Sequence, residues 1–241
     1  MRLIVTRPLE AARPLGRRLA AAGHDVVVAP LLNIRRVGGL TIPEREYQAV
    51  LITSANGARA LAGRAGFEHL TRATALVVGP ASAEAAKLAG FARVEQADGD
   101  VAALARSAIA NFRPVDGPLL YVSGAVTAGE LAPALETAGF AVDRIIAYEA
   151  RPVDALPDAC TAALRAGDAE GVLLFSPRSA GIWSSLVAAA DLAPAALRLV
   201  HYCLSENVAA ALRNGLGADV MVQVAPRRNE AALLKLLSTP A

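Results

Sequence analysis

Four short turns carry residues whose types and spacing suit one kind of chemistry, the holding of an anion. They are Thr6-Arg7-Pro8, Thr53-Ser54-Ala55-Asn56, Gly79-Pro80-Ala81-Ser82 with Ala83 following, and Ser176-Pro177-Arg178-Ser179. Each follows a short apolar run and leads into a helical pattern. Its hydroxyls and backbone N–H groups therefore stand at a helix amino terminus, where partial positive charge accepts carboxylates or phosphates. Plain N-capping by Ser, Thr or Asn accounts for any one turn taken alone. Four together predict an anion-binding rim, because ligands of parallel α/β folds lie outside the carboxyl ends of the strands.

Other chemistries leave no trace. No GxGxxG follows a strand, and there is no GxxxxGK[ST] phosphate loop. A GxSxG elbow is missing too, and no Ser/His/Asp set can be assembled. The chain offers hydrogen-bond donors and arginines rather than a nucleophile, which argues against covalent catalysis. His24, His69 and His201 are scattered, without metal-ligand spacing to Cys, Asp or Glu, so no metal is expected. Cys160 and Cys203 sit in apolar surroundings without CxxC spacing and read as buried free thiols.

The elements that must position the turns alternate strand and helix. Leu3-Ile4-Val5, Val26-Val27-Val28, Ala49 to Ile52, Ala75 to Val78 and Leu119 to Val122 are short apolar strands. The helix after the first strand carries Leu15 and Leu19 and closes at Gly23, where a left-handed residue ends a helix. Short apolar strands alternating with helices imply parallel sheets covered on both faces.

A weak internal repeat divides the chain. Val50 to Ala58 finds an echo in Val172 to Ala180. Ser82-Ala83 with Gly90 pairs with Asn207-Val208 and Gly215 at the same spacing, and Asp98 to Ile109 pairs with Arg228 to Leu237. The opening strand and helix look like the missing start of the second half. Leu32 to Val37 and Ala147 to Val153 lack helix signals and read as two extended crossings. The expected domains are residues 1–36 plus 151–241, with 37–150 inserted between them. The fold class is thus α/β: two similar flavodoxin-like parallel-sheet domains with a two-stranded connection and a cleft between them. A double crossing would act as a hinge.

Composition bounds the setting. The 241 residues suffice for two small domains, and 54% are apolar, enough for two cores. Net charge is +2 with both signs interspersed, so no nucleic-acid partner is expected. No apolar run reaches the ~18 residues of a membrane span, and Met1 to Arg7 lacks the apolar stretch of a signal peptide. A cytoplasmic monomer without a membrane partner is the expectation.

Five segments together resemble uroporphyrinogen-III synthase: Ile4-Val5-Thr6-Arg7-Pro8, Leu51-Ile52-Thr53-Ser54-Ala55-Asn56-Gly57, Val78-Gly79-Pro80-Ala81-Ser82-Ala83, Ile146-Ala147-Tyr148-Glu149-Ala150 and Phe175-Ser176-Pro177-Arg178-Ser179. They occur in that family's order over nearly the whole chain. The resemblance implies a site in the interdomain cleft and a reaction without cofactor or metal. Hydroxymethylbilane, a linear tetrapyrrole with eight carboxylates, loses water and closes to uroporphyrinogen III with ring D inverted. Tyr148 corresponds to the family's tyrosine with the best catalytic case. Its phenol, ordinarily protonated at neutral pH, would assist departure of the hydroxyl. Thr53, Ser54, Ser82 and Ser176 match positions that contact substrate carboxylates, largely through backbone N–H groups.

Two departures stand out. Leu204-Ser205-Glu206-Asn207-Val208 replaces the Gly-x-x-Thr-Ala turn usual in the second half, leaving Asn207 to cap and to donate, with Glu206 pointing away. Ser123-Gly124-Ala125-Val126, also expected at the substrate, lacks the arginine that many relatives place there. Two other readings share these features: a non-catalytic two-lobed module that closes on a small polyanion, and a flavodoxin-like nucleotide or flavin enzyme.

Overall fold

The computed structural model describes residues 1–97, 100–127 and 130–238, the last by its backbone alone. Its strands are β1 (Arg2–Val5), β2 (Asp25–Val28), β3 (Leu32–Arg36), β4 (Ala49–Ile52), β5 (Thr74–Val78), β6 (Arg93–Ala97), β7 (Leu119–Gly124), β8 (Val142–Pro152), β9 (Gly171–Leu174), β10 (Val200–Cys203) and β11 (Val222–Val224). The chain divides into two compact units, residues 1–33 with 151–241, and residues 34–150. The first boundary falls three residues before the one expected from the sequence. The reason is that β3 hydrogen-bonds to β8 in the sheet of the second unit.

The first unit holds a five-stranded sheet in the order β11-β10-β9-β1-β2, parallel throughout. Numbered within the unit this is 2-1-3-4-5 read from β2, the flavodoxin-like order, and the strand order reverses between β1 and β9. Ile4, Val172 and Leu174 are buried against Trp183, Val187 and Leu212 on one face. On the other, Leu3, Val5 and Leu173 meet Leu15, Leu19 and Leu233. Both faces are apolar because helices cover both, as parallel pairing requires. Two helices, Pro177–Ala189 and Glu206–Leu216, touch closely: a Cβ built on Gly215 would lie 2.4 Å from Ser184 Cβ.

The second unit holds a six-stranded sheet in the order β3-β8-β7-β4-β5-β6. From β8 to β6 the pairing is parallel. This is the same 2-1-3-4-5 arrangement with its first β-α-β portion, β7 and β8, moved to the end of the chain segment. The reversal here lies between β7 and β4. In the first unit that portion is β1 and β2, which is why the opening strand looks like the missing start of the second half. Val37 N–H donates to Ala147 C=O and Val153 N–H to Leu31 C=O, so β3 and β8 run antiparallel. Asp98, at the head of the third sequence echo, lies outside the described residues.

Candidate functional site

The turns singled out by the sequence all sit at carboxyl ends of parallel strands, but on two sheets. Thr6-Arg7-Pro8 follows β1 and Ser176-Pro177-Arg178-Ser179 follows β9, the pair that flanks the reversal in the first unit. In the second unit Thr53-Ser54-Ala55-Asn56 follows β4 and Ser123-Gly124 ends β7, again the pair at the reversal, with Gly79 to Ala83 following β5. The turns are therefore carried by two sheets, one set in each unit. In each, the helices flanking a strand reversal leave toward opposite faces and open a crevice for ligand.

Side chains at these turns serve mainly their own backbone. Ser54 Oγ accepts from Asn56 N–H at 3.2 Å, capping Ala55–Leu61. Ser176 and Ser179 form a capping box on Pro177–Ala189, each accepting the other's backbone N–H at 3.1 Å. Thr6 is buried, and its hydroxyl donates to Leu173 C=O at 2.7 Å, tying β1 to β9 instead of facing ligand. Arg7 pairs with Glu230 and lies 4.8 Å above the Phe175 ring. Asn207 does not cap: Ser205 holds the N-cap position of Glu206–Leu216, and Asn207 is in the first turn. Helix geometry moves the cap upstream because the backbone is still extended at Ser205.

Backbone donors remain for an anion. The N–H groups of Ala55, Ala81, Ser82, Glu206 and Asn207 lie in first turns, where a helix offers no acceptor, and none finds one elsewhere among the described residues. Gly79 makes this possible before Pro80–Ala89 by adopting φ +75°, a conformation that few other residues tolerate. Glu206 is paired with Arg213 at 3.8 Å, which turns its charge along the helix.

Tyr148 is set by a β-bulge. Along the β7–β8 ladder Ser123 pairs with Ile146 and Gly124 with Tyr148, so Ala147 is an extra residue on β8. The bulge re-aims the tyrosine, whose ring lies on Gly124. A Cβ at position 124 would approach its Cζ to 2.8 Å and its Oη to 3.1 Å.

The sequence missed Arg144. This residue stands on β8 opposite Tyr121, and its Nε donates to Ser123 Oγ at 2.9 Å while Nη2 reaches Gly124 C=O at 3.4 Å. A guanidinium thus occupies the segment whose sequence lacks one. Only the strand register brings it there; an arginine four residues before Tyr148 carries no such signal by itself.

A cavity of about 640 Å³ in the first unit is lined by His24, Glu170, Arg198 and Tyr202, at the amino ends of its strands and away from the turns. Among the described residues no three His, Cys, Asp or Glu side chains are grouped to hold a metal.

The sequence profile described as Uroporphyrinogen-III synthase HemD matches residues 13–235. This chain belongs to the uroporphyrinogen-III synthase family. Among solved structures, uroporphyrinogen-III synthetase from Helicobacter pylori is similar over 99% of each chain, with TM-score 0.66 at 14% identity. A mutant uroporphyrinogen III synthase from Thermus thermophilus gives TM-score 0.54 at 19% identity, over 99% of this chain and 97% of that one. Such distant identities establish the two-domain α/β fold of the synthase family. No curated protein matches the chain. Membership of the synthase family disfavours both the non-catalytic binding module and the flavin enzyme.

Proposed function

We propose that this chain is a cofactor-independent, cyclising lyase that converts hydroxymethylbilane to uroporphyrinogen III with inversion of ring D and loss of water. The observation that carries the reading is the family match across residues 13–235. The geometry supplies a physical account of how these residues would do it.

The substrate bears eight carboxylates, and the two rims offer acceptor-free amides at helix starts. Thr53, Ser54, Ala55 and Asn56, Gly79, Ser82 and Ala83, and Gly124 form the contacts of the second unit in this proposal. Arg7, Ser176, Pro177, Arg178, Ser179 and Asn207 form those of the first, with Thr6 holding β1 against β9. Both rims are taken to engage the same substrate. Backbone amides are preset by the helices, so they bind carboxylates with little reorganisation.

Tyr148 is the proposed catalytic residue. Its phenol lends a proton to the departing hydroxyl, which leaves as water, and the N–H proton given up by the same pyrrole as the azafulvene forms restores the phenol. Ring D, held by its carboxylates, then attacks the azafulvene methylene through its already substituted carbon, and the new C–C bond gives a spirocyclic intermediate. Unassisted closure gives the uninverted isomer. A hundredfold preference for inversion needs only ~2.7 kcal/mol between the two barriers, which positioning can supply. Shape and anion binding choose the product; Tyr148 sets the rate.

The enzyme is taken to act as a monomer in the cytoplasm. In support, no helix among the described residues is long and apolar enough to cross a membrane. Incubation with freshly made hydroxymethylbilane, then oxidation and chromatography, tests the function: type III product in excess is expected, and type I alone would rule it out.

A further inference from the structure

We infer that Arg144 is a substrate-carboxylate anchor of the second unit, aimed by the buried hydroxyl of Ser123. The inference rests on the synthase reading and adds to it a charged contact that the amide-lined turns do not supply.

Three observations carry it. First, the guanidinium is held in place. Nε donates to Ser123 Oγ at 2.9 Å, Nη2 to Gly124 C=O at 3.4 Å, and the group lies 5.9 Å from the Tyr121 ring centroid. Ser123 is fully buried and donates in turn to Ile145 C=O at 3.3 Å, so its lone pair is presented to Arg144 by a fixed rotamer. Sequence alone casts Ser123 as a direct substrate contact; the structure gives its hydroxyl to Arg144.

Second, the charge has no carboxylate. Arg144 makes no ion pair among the described residues, a state it shares with Arg36 and Arg64; what distinguishes it is the place of its anchors at the end of β7. Neighbouring Asp143 is engaged by Arg45 and by the Tyr47 hydroxyl. Arg144 is nevertheless exposed, and its Nη1 edge is not used by any hydrogen bond within the described protein. A guanidinium fixed on one edge and open on the other is preorganised for a carboxylate.

Third, it stands where ligand is expected. Its two anchors, Ser123 and Gly124, are the last residues of β7, at the strand reversal of this unit, and Gly124 also seats the Tyr148 ring.

The test compares wild type with Arg144→Gln, Arg144→Lys and Ser123→Ala in steady-state assays with hydroxymethylbilane. Equilibrium titration with uroporphyrin III, an octacarboxylate, runs in parallel and reads binding even if no turnover is seen. Arg144→Gln should raise KM and the uroporphyrin Kd about fivefold to thirtyfold, with kcat changed less than threefold. Arg144→Lys should recover most of the loss. Ser123→Ala should raise KM by a smaller factor, since it frees the anchor without removing its charge. Unchanged KM and Kd in Arg144→Gln would overturn the inference, as would a fall in kcat alone. Should Arg144→Gln fold poorly, Ser123→Ala decides: a raised KM and uroporphyrin Kd support the inference, and unchanged values overturn it. Failure of the synthase reading has a different signature, type I product from the wild type.

Discussion

The ring of Tyr148 occupies the space that a side chain at position 124 would fill: a Cβ built on Gly124 would stand 2.8 Å from Tyr148 Cζ. Two neighbouring strands thus share one volume, and the bulge at Ala147 brings the ring there. The glycine is required for space, since its φ is not among the positive values that demand glycine elsewhere. Gly124→Ala should therefore displace the phenol. We expect kcat to fall tenfold or more while thermal stability drops by only a few degrees. A normal kcat would show that the seat of Tyr148 is irrelevant to turnover.

Tyr148→Phe keeps the ring on Gly124 and removes only the donor. Single-turnover rates should fall about a hundredfold, the low end of the range attributed to a positioned proton donor. The melting temperature should stay within about 2 °C. The product should remain mainly type III, because the account assigns isomer choice to positioning. Unchanged single-turnover kinetics would refute the role given to Tyr148.

Hydroxyls at the turns should matter more to stability than to activity. Ser54→Ala and Ser176→Ala each remove a helix cap and should cost about 1 kcal/mol in urea unfolding. Activity should remain within about threefold, since the amides stay. A hundredfold loss from either would show that the hydroxyl itself binds or reacts.

These turns mark how far the sequence could be read. Short apolar runs such as Ala49 to Ile52 identify strands because both faces of a parallel sheet are covered. Thr6 shows the limit: its type and place suit a ligand contact, yet β9 arrives beside it and takes its hydroxyl. Asn207 shows another, since Ser205 and Asn207 are equally good caps and only backbone conformation selects between them. Arg144 and the Ala147 bulge depend on register between strands separated by a helix, which local pattern does not encode.

His201 predicts a dependence of stability on pH. It is fully buried, its Nε2 accepts from Trp183 Nε1–H at 3.3 Å, and its Nδ1 faces Met221 C=O at 3.2 Å. Burial first of all pushes its pKa from 6.5 down to about 4, against smaller opposing effects of backbone hydrogen bonds. The unfolded chain therefore binds this proton more readily than the folded one. Its contribution is complete above pH 6.5 and is lost as pH falls toward 4, amounting to roughly 3 kcal/mol. The His201 ring resonance in NMR should not titrate above pH 5. A midpoint near 6.5 would contradict the neutral, buried assignment.

Cys160 and Cys203 are both fully buried, and desolvation pushes each thiol up to about 12. Neither should react with a thiol reagent in the native protein at pH 8, and both should react in denaturant. Rapid native labelling of either would contradict the packing of the first unit's core.

The central claim is that carboxylate positioning directs ring closure while Tyr148 governs its speed. The most direct measurement is the type III to type I ratio formed in single turnovers by wild type and by Tyr148→Phe. The account predicts type III in large excess from both, with the variant slower. Type I alone from the wild type, or loss of isomer selectivity in a folded Tyr148→Phe, would contradict it.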